Sequence, residues 1–113
     1  MSITDAIQVL KPWRIIADSS EVPNRANLLS ARLESELPQE HVLHGLNVRA
    51  VATRIDRDDV LFEVEGGHMP LAVVHMTWRK EKDPQYPHTK LFQSWEDWVR
   101  NEMIPAHEDY DPS

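Results

Sequence analysis

The 113-residue chain has no cysteine and only three glycines, and no apolar stretch in it approaches the roughly 18 residues a membrane helix needs. Without thiols there is no disulfide framework, no thiol nucleophile and no thiolate metal site, and a cytoplasmic setting is the expectation. The opening Met1-Ser2-Ile3-Thr4-Asp5 lacks the basic region followed by an apolar core that marks a secretion signal, so no membrane association is expected. Basic residues are also scarce: twelve Lys and Arg stand against nineteen Asp and Glu, a formal charge of −7, and they form no cluster. That balance repels a phosphate backbone, and nucleic acid is not an expected partner.

What is present is ordinary for a globular protein: 41% hydrophobic and 27% charged residues, eight scattered prolines and no internal repeat. A chain of this length makes a single domain over residues 1–113, burying about 65% of the surface its unfolded form exposes. Residues 1–22 mix short apolar pieces with Pro12 and the turn-prone Asp18-Ser19-Ser20, which predicts an irregular N-terminal arm pinned to the body by Trp13. Residues 106–113 carry acids without Lys or Arg and are expected to form an acidic, flexible tail.

Between these ends the periodicities alternate. From 24 to 37 the apolar Ala26, Leu29, Leu33 and Leu37 recur at spacings of three and four, which predicts an amphipathic helix preceded by Pro23 and stopped by Pro38. Residues 46–55 switch to a period of two, Val48, Ala50 and Ala52 against Arg49, Val51 and Thr53, and so read as a strand. The acidic turn Asp56-Arg57-Asp58-Asp59 joins it to a second strand at 60–64, and Gly66-Gly67 turns the chain into a third at 71–78. This third strand, Leu71-Ala72-Val73-Val74-His75-Met76-Thr77-Trp78, is the longest apolar and β-favouring run and the expected centre of the sheet. A charged, proline-punctuated loop follows, and Thr89 to Phe92 allow a short extended piece. Ser94-Trp95-Glu96-Asp97 then has capping-box spacing, with Trp95, Trp98, Val99 and Met103 as the stripe of a helix ended by Pro105.

The fold predicted is α+β: an antiparallel three-stranded meander with an N-terminal and a C-terminal helix packed on one face. Strict alternation assigns Val48, Ala50, Ala52, Val60, Phe62, Val64, Ala72, Val74, Met76 and Trp78 to the covered face. The opposite face then carries Arg49, Val51, Thr53, Glu63, Val73, His75 and Thr77 together with Leu61 and Leu71.

The ordered motifs Asp58-Asp59-Val60-Leu61-Phe62, residues 71–78, Pro87-His88-Thr89 and Ser94-Trp95-Glu96-Asp97-Trp98 resemble, over roughly residues 44–100, a group of short bacterial proteins of unassigned function. The resemblance implies an intact small bacterial protein and brings no activity, cofactor or site residue with it.

Six histidines invite site hypotheses. His41 and His44 are spaced like ligands on one helical turn, with His75 or His88 able to complete a divalent-metal site, but Pro38 and Gly45 interrupt a helix there and a polar approach to a strand is favoured; no metal or cofactor is expected. His75 with Glu63 and Arg49 would unite a base, a carboxylate and a cation on one sheet face. The plainer reading, a cross-strand charge pair beside a hydrogen-bonded histidine, is favoured, and no catalytic residue is assigned. Trp95 and Trp98, able to stack on a base or sugar, are read as core.

The function expected is therefore a non-enzymatic interaction protein that self-associates as a homodimer. Its expected partner or ligand face is Arg49, Val51, Glu63, Val73, His75 and Thr77, an apolar patch with a charged rim. The alternative is a small enzyme or a ligand- or metal-binding domain with a pocket around His75.

Overall fold

The computed structural model describes residues 9–16, 25–83 and 85–110, with the backbone alone of Arg25 and Ala26. Residues 1–8 and 17–22 of the expected arm and 111–113 of the expected tail lie outside the described residues.

The described chain forms β1 (Trp13–Ile15), α1 (Arg25–Glu36), β2 (Asn47–Arg54), β3 (Asp59–Glu65), β4 (Leu71–His75) and β5 (Thr89–Phe92). It ends in a helical run made of α2 (Trp95–Trp98), a π-helical turn (Val99–Met103) and α3 (Ile104–Asp109). All five strands pair antiparallel in sequence order. The three-stranded meander is thus the middle of a five-stranded sheet. Trp13 to Ile15, expected to be irregular, pair with Arg54 to Ala52 as one edge, and Thr89 to Phe92 pair with Val74 to Leu71 as the other.

The helices do not share a face. α1 sets Leu33 and Leu37 against Ala50, Phe62, Ala72 and Val74, as its periodicity predicts. The C-terminal run sets Trp98, Met103 and Ala106 against Val51, Leu61, Leu71, Val73 and Phe92, on the face that was expected to lie open. Two irregularities defeat the predicted arrangement. The first is a β-bulge in β2: Ala50 pairs with Phe62 and Ala52 with Leu61, leaving Val51 as the extra residue. Alternation fails there, and both Val51 and Ala52 pack under the C-terminal helix while Val48 and Ala50 stay on the α1 side.

The second is the fate of Pro105. A proline inside an α-helix clashes with the carbonyl four residues earlier, yet this helix continues to Asp109. The preceding turn is π-helical, and Ile104 N–H reaches back five residues to Val99 O. A widened turn relieves that crowding. The prolonged helix then binds the N-terminal segment, His107 Nδ1–H donating to Lys11 O at 2.7 Å and Leu10 N–H to Met103 Sδ at 3.4 Å. The start of the helix is as predicted: Asp97 N–H donates to Ser94 Oγ at 3.1 Å, and Asp97 Oδ2 accepts from Gln93 N–H at 2.9 Å. Trp98 stands edge-on to Trp13 with centroids 5.3 Å apart, so the first strand and last helix share one aromatic core.

β4 ends at His75 rather than at Trp78. Met76 N–H donates to Asp58 O, and Thr77 and Trp78 turn toward α1, where the wholly buried carboxylate of Glu36 accepts from Thr77 N–H, Thr77 Oγ1–H and Trp78 N–H at 3.0, 3.1 and 3.0 Å. Arg32, one turn earlier on α1, lies 3.4 Å from the same carboxylate and donates to Trp78 O. Trp78 sits at φ 62°, a left-handed conformation costing a non-glycine residue on the order of 1–3 kcal/mol. Glu36 and Arg32 hold it from both sides, leaving the indole, expected on the covered face, 45% exposed.

Two outcomes follow. Glu36→Ala orphans two backbone donors and should cost about 2–4 kcal/mol in urea denaturation, a large share of a typical 5–15; a loss below about 1 kcal/mol contradicts the clamp. Val73 is 4% exposed, so Val73→Glu should abolish cooperative unfolding monitored by circular dichroism, because an unpaired buried carboxylate costs several kcal/mol. A folded Val73→Glu variant would show that the C-terminal helix leaves this face.

Candidate functional site

The C-terminal helix covers the middle of the second face and leaves its two ends. At one end the bulge returns Arg54 to that face, Asp59 opens β3, and His75, the register partner of Asp59, closes β4. His75 Nδ1–H donates to Asp59 Oδ1 at 2.6 Å. The carboxylate is 10% exposed and the imidazole 54%, which turns the ring's other nitrogen to the surface. Arg54 grips Asp56 through Nε and Nη2, each at 2.8 Å, and this holds the Asp56 carboxyl below its ordinary range. Asp59 and Glu102 add their charges to the surroundings of Arg54. A carboxylate that orients an imidazole is half of an acid–base site; the other half is a cleft that holds a substrate against it.

The principal cleft lies at the opposite end, bounded by the first residues of β2 and β4, the last of β3 and the start of α2. It encloses about 880 Å³. Arg49 and Glu63 face each other across β2 and β3, Leu71 lies at the floor, and Ser94 and Trp95 form the wall. Leu71 is buried, Glu63 half-buried and Arg49 exposed. Among the described residues neither Arg49 nor Glu63 makes an ion pair or a side-chain hydrogen bond.

The six expected face residues therefore separate. Arg49 and Glu63 stay together in the cleft. Val51 and Val73 are buried under the C-terminal helix. His75 stands four residues along the paired strands from Glu63 and outside the walls of this cleft and of the two smaller ones. Thr77 lies past the strand, on Glu36. The partner of His75 is Asp59, expected in the hairpin turn. Alternation from Leu61 and Glu63 put Asp59 on this face, and antiparallel pairing sets the first residue of β3 against the last of β4, so that signal was available. Trp95, read as core, packs beside Trp98 at 4.9 Å and also walls the cleft. No spacing rule distinguishes the two roles.

His41 is not disposed as a metal ligand. Its Nδ1 accepts from Leu43 N–H at 3.0 Å, which fixes the tautomer, and its Nε2–H donates to Pro87 O at 2.9 Å, with Thr89 Oγ1 3.2 Å away. The ring is 5% exposed and ties the 41–46 turn to the start of β5. Among the described residues no three His, Asp or Glu side chains are grouped to hold a metal, and no helix is long and apolar enough to cross a membrane.

The chain matches no protein-family model, and comparisons with curated proteins and with solved structures find no match either.

Burial lowers the pKa of His41 below its ordinary 6.5; the bond to Pro87 O opposes this and the nearby His44 adds to it. The unfolded chain then binds a proton that the folded one refuses, so stability is complete above pH 6.5 and falls as the pH drops from there toward the lowered value. Urea midpoints of the wild type should decline across this window, and those of His41→Asn should decline less. Parallel profiles would mean that His41 is not held neutral.

Proposed function

We propose that this protein is a non-enzymatic binding protein and that its recognition site is the cleft between Arg49, Glu63 and Trp95. The observation that carries the reading is a concave site with apolar floor and aromatic wall in which two opposite charges lie uncommitted among the described residues. Ligand sites combine apolar surface with a few orienting polar groups in this way. Charged groups elsewhere on the sheet are engaged, Glu36 by Thr77 and Trp78 and Arg54 by Asp56, so the two side chains left available at a concavity stand out.

Self-association was expected to use the apolar middle of the second face. Val51 and Val73 now lie beneath the C-terminal helix, so a second copy or another protein would meet this face only at its ends. A second reading, acid–base catalysis, is favoured by the 2.6 Å contact of His75 with Asp59; against it, His75 lies outside the walls of the Arg49–Glu63 cleft and of two smaller ones.

Titration of the 15N-labelled protein with a panel of small amphipathic fragments should concentrate shift changes on residues 47–49, 63–65, 71 and 93–95. Arg49→Ala, at an exposed position, should weaken those responses while changing stability by no more than about 0.5 kcal/mol. Responses gathered around His75 would favour the catalytic reading, and a panel without responses would remove the small-ligand one.

A further inference from the structure

Resting on the cleft as the recognition site, we infer that its ligand is a small zwitterion, an ammonium and a carboxylate on one carbon with an apolar or aromatic side chain: the chemistry of a free apolar amino acid. The charge arrangement on the cleft floor leads there. Arg49 and Glu63 are direct cross-strand partners on one face, which sets their Cβ atoms about 5 Å apart. At that separation they would ordinarily close on each other, yet no ion pair joins them within 4.0 Å, and none ties either to another described residue.

A simple anion bound to Arg49 would be set beside the Glu63 carboxylate, and a simple cation on Glu63 would be set beside the guanidinium. Either ligand meets one like charge at close range. A zwitterion with its two charges one carbon apart pairs both at once, its carboxylate on the Arg49 fork and its ammonium on Glu63, and both contacts are charge-assisted. Glu65, exposed on the same wall, adds negative charge beside Glu63 and so favours the ammonium on that side. A peptide of several residues places its ammonium and carboxylate too far apart to satisfy neighbouring strands together.

The remaining lining suits the side chain of such a ligand. Leu71 lies at the floor and Trp95 offers an aromatic wall, while the volume of about 880 Å³ leaves room for a bulky group. The polarity is divided accordingly, with charges on the β2–β3 strands and the apolar and aromatic surfaces toward β4 and α2.

The test uses the full-length 15N-labelled protein titrated with phenylalanine, N-acetylphenylalanine and phenylalaninamide. Phenylalanine should saturate shift changes at Arg49, Glu63, Leu71 and Trp95. Blocking the amine or the carboxylate should weaken binding on the order of tenfold. Glu63→Gln should erase the preference for phenylalanine over the N-acetyl compound, and Arg49→Ala the preference over the amide. A merely structural role for these side chains would move neither preference. If the blocked compounds bind in the cleft as tightly as phenylalanine, the zwitterion inference is overturned and the cleft reading stands. If none of the three, nor leucine, perturbs the cleft at millimolar concentrations while fragments do, the inference again falls alone; if fragments fail as well, both fall.

Discussion

A sheet enclosed between two helices must offer apolar side chains on both faces, and in β2 that requirement is met by one extra residue. Up to Ala50 the strand alternates simply, Val48 and Ala50 toward α1 and Arg49 away. Val51 interrupts the register, and because it and Ala52 both face the C-terminal helix, the strand presents two consecutive apolar side chains to the Trp98 and Met103 layer. The same step leaves Arg49 opposite Glu63 beyond the reach of that helix and brings Arg54 to the Asp59 end. Ser30 of α1 accepts Ala50 N–H at 3.1 Å and Val51 O accepts from Ile16 N–H at 3.1 Å, so neighbours on both sides secure the irregular segment.

The second organising contact is the Glu36 carboxylate. Burying a charge is costly unless its lone pairs are used, and here three donors from Thr77 and Trp78 and the nearby Arg32 guanidinium use them. Glu36 also accepts Glu81 N–H on its backbone oxygen, so the end of α1 holds the chain on both sides of the β4 exit. The left-handed Trp78 is a local cost carried by this contact. It ends β4 at His75 and so leaves that imidazole at a strand terminus, paired with Asp59 and open to the surface.

These two devices give the second sheet face its functional geography. The helix that starts at Ser94 crosses the middle and takes Val51, Val73 and Leu61 out of reach. One end keeps a polar cluster in which Arg54 is paired with Asp56 and His75 with Asp59; the other keeps a cleft whose charges are available. The second end is the one suited to recognition, because a group already paired has less to gain from a ligand than one that is not.

Local patterns determined much of this. The spacing of Leu29, Leu33 and Leu37 specified α1, alternation specified the three central strands, and Ser94 with Asp97 specified the start of the last helix, since each rests on interactions within a few residues. Arg49 and Glu63 were legible as neighbours because one hairpin register places them. What the sequence by itself could not determine was parity beyond Val51, the continuation of the helix past Pro105 and the side on which that helix packs. A bulge and a π-turn cost little locally, and they are selected by what they bury at a distance: Val51 and Ala52 under Trp98 and Met103, and Ala106 on the same face. Val51 and Val73 looked like an open patch because one-dimensional alternation records that a face is apolar and not what covers it. The tertiary structure decided that, by spending the C-terminal helix on the second face.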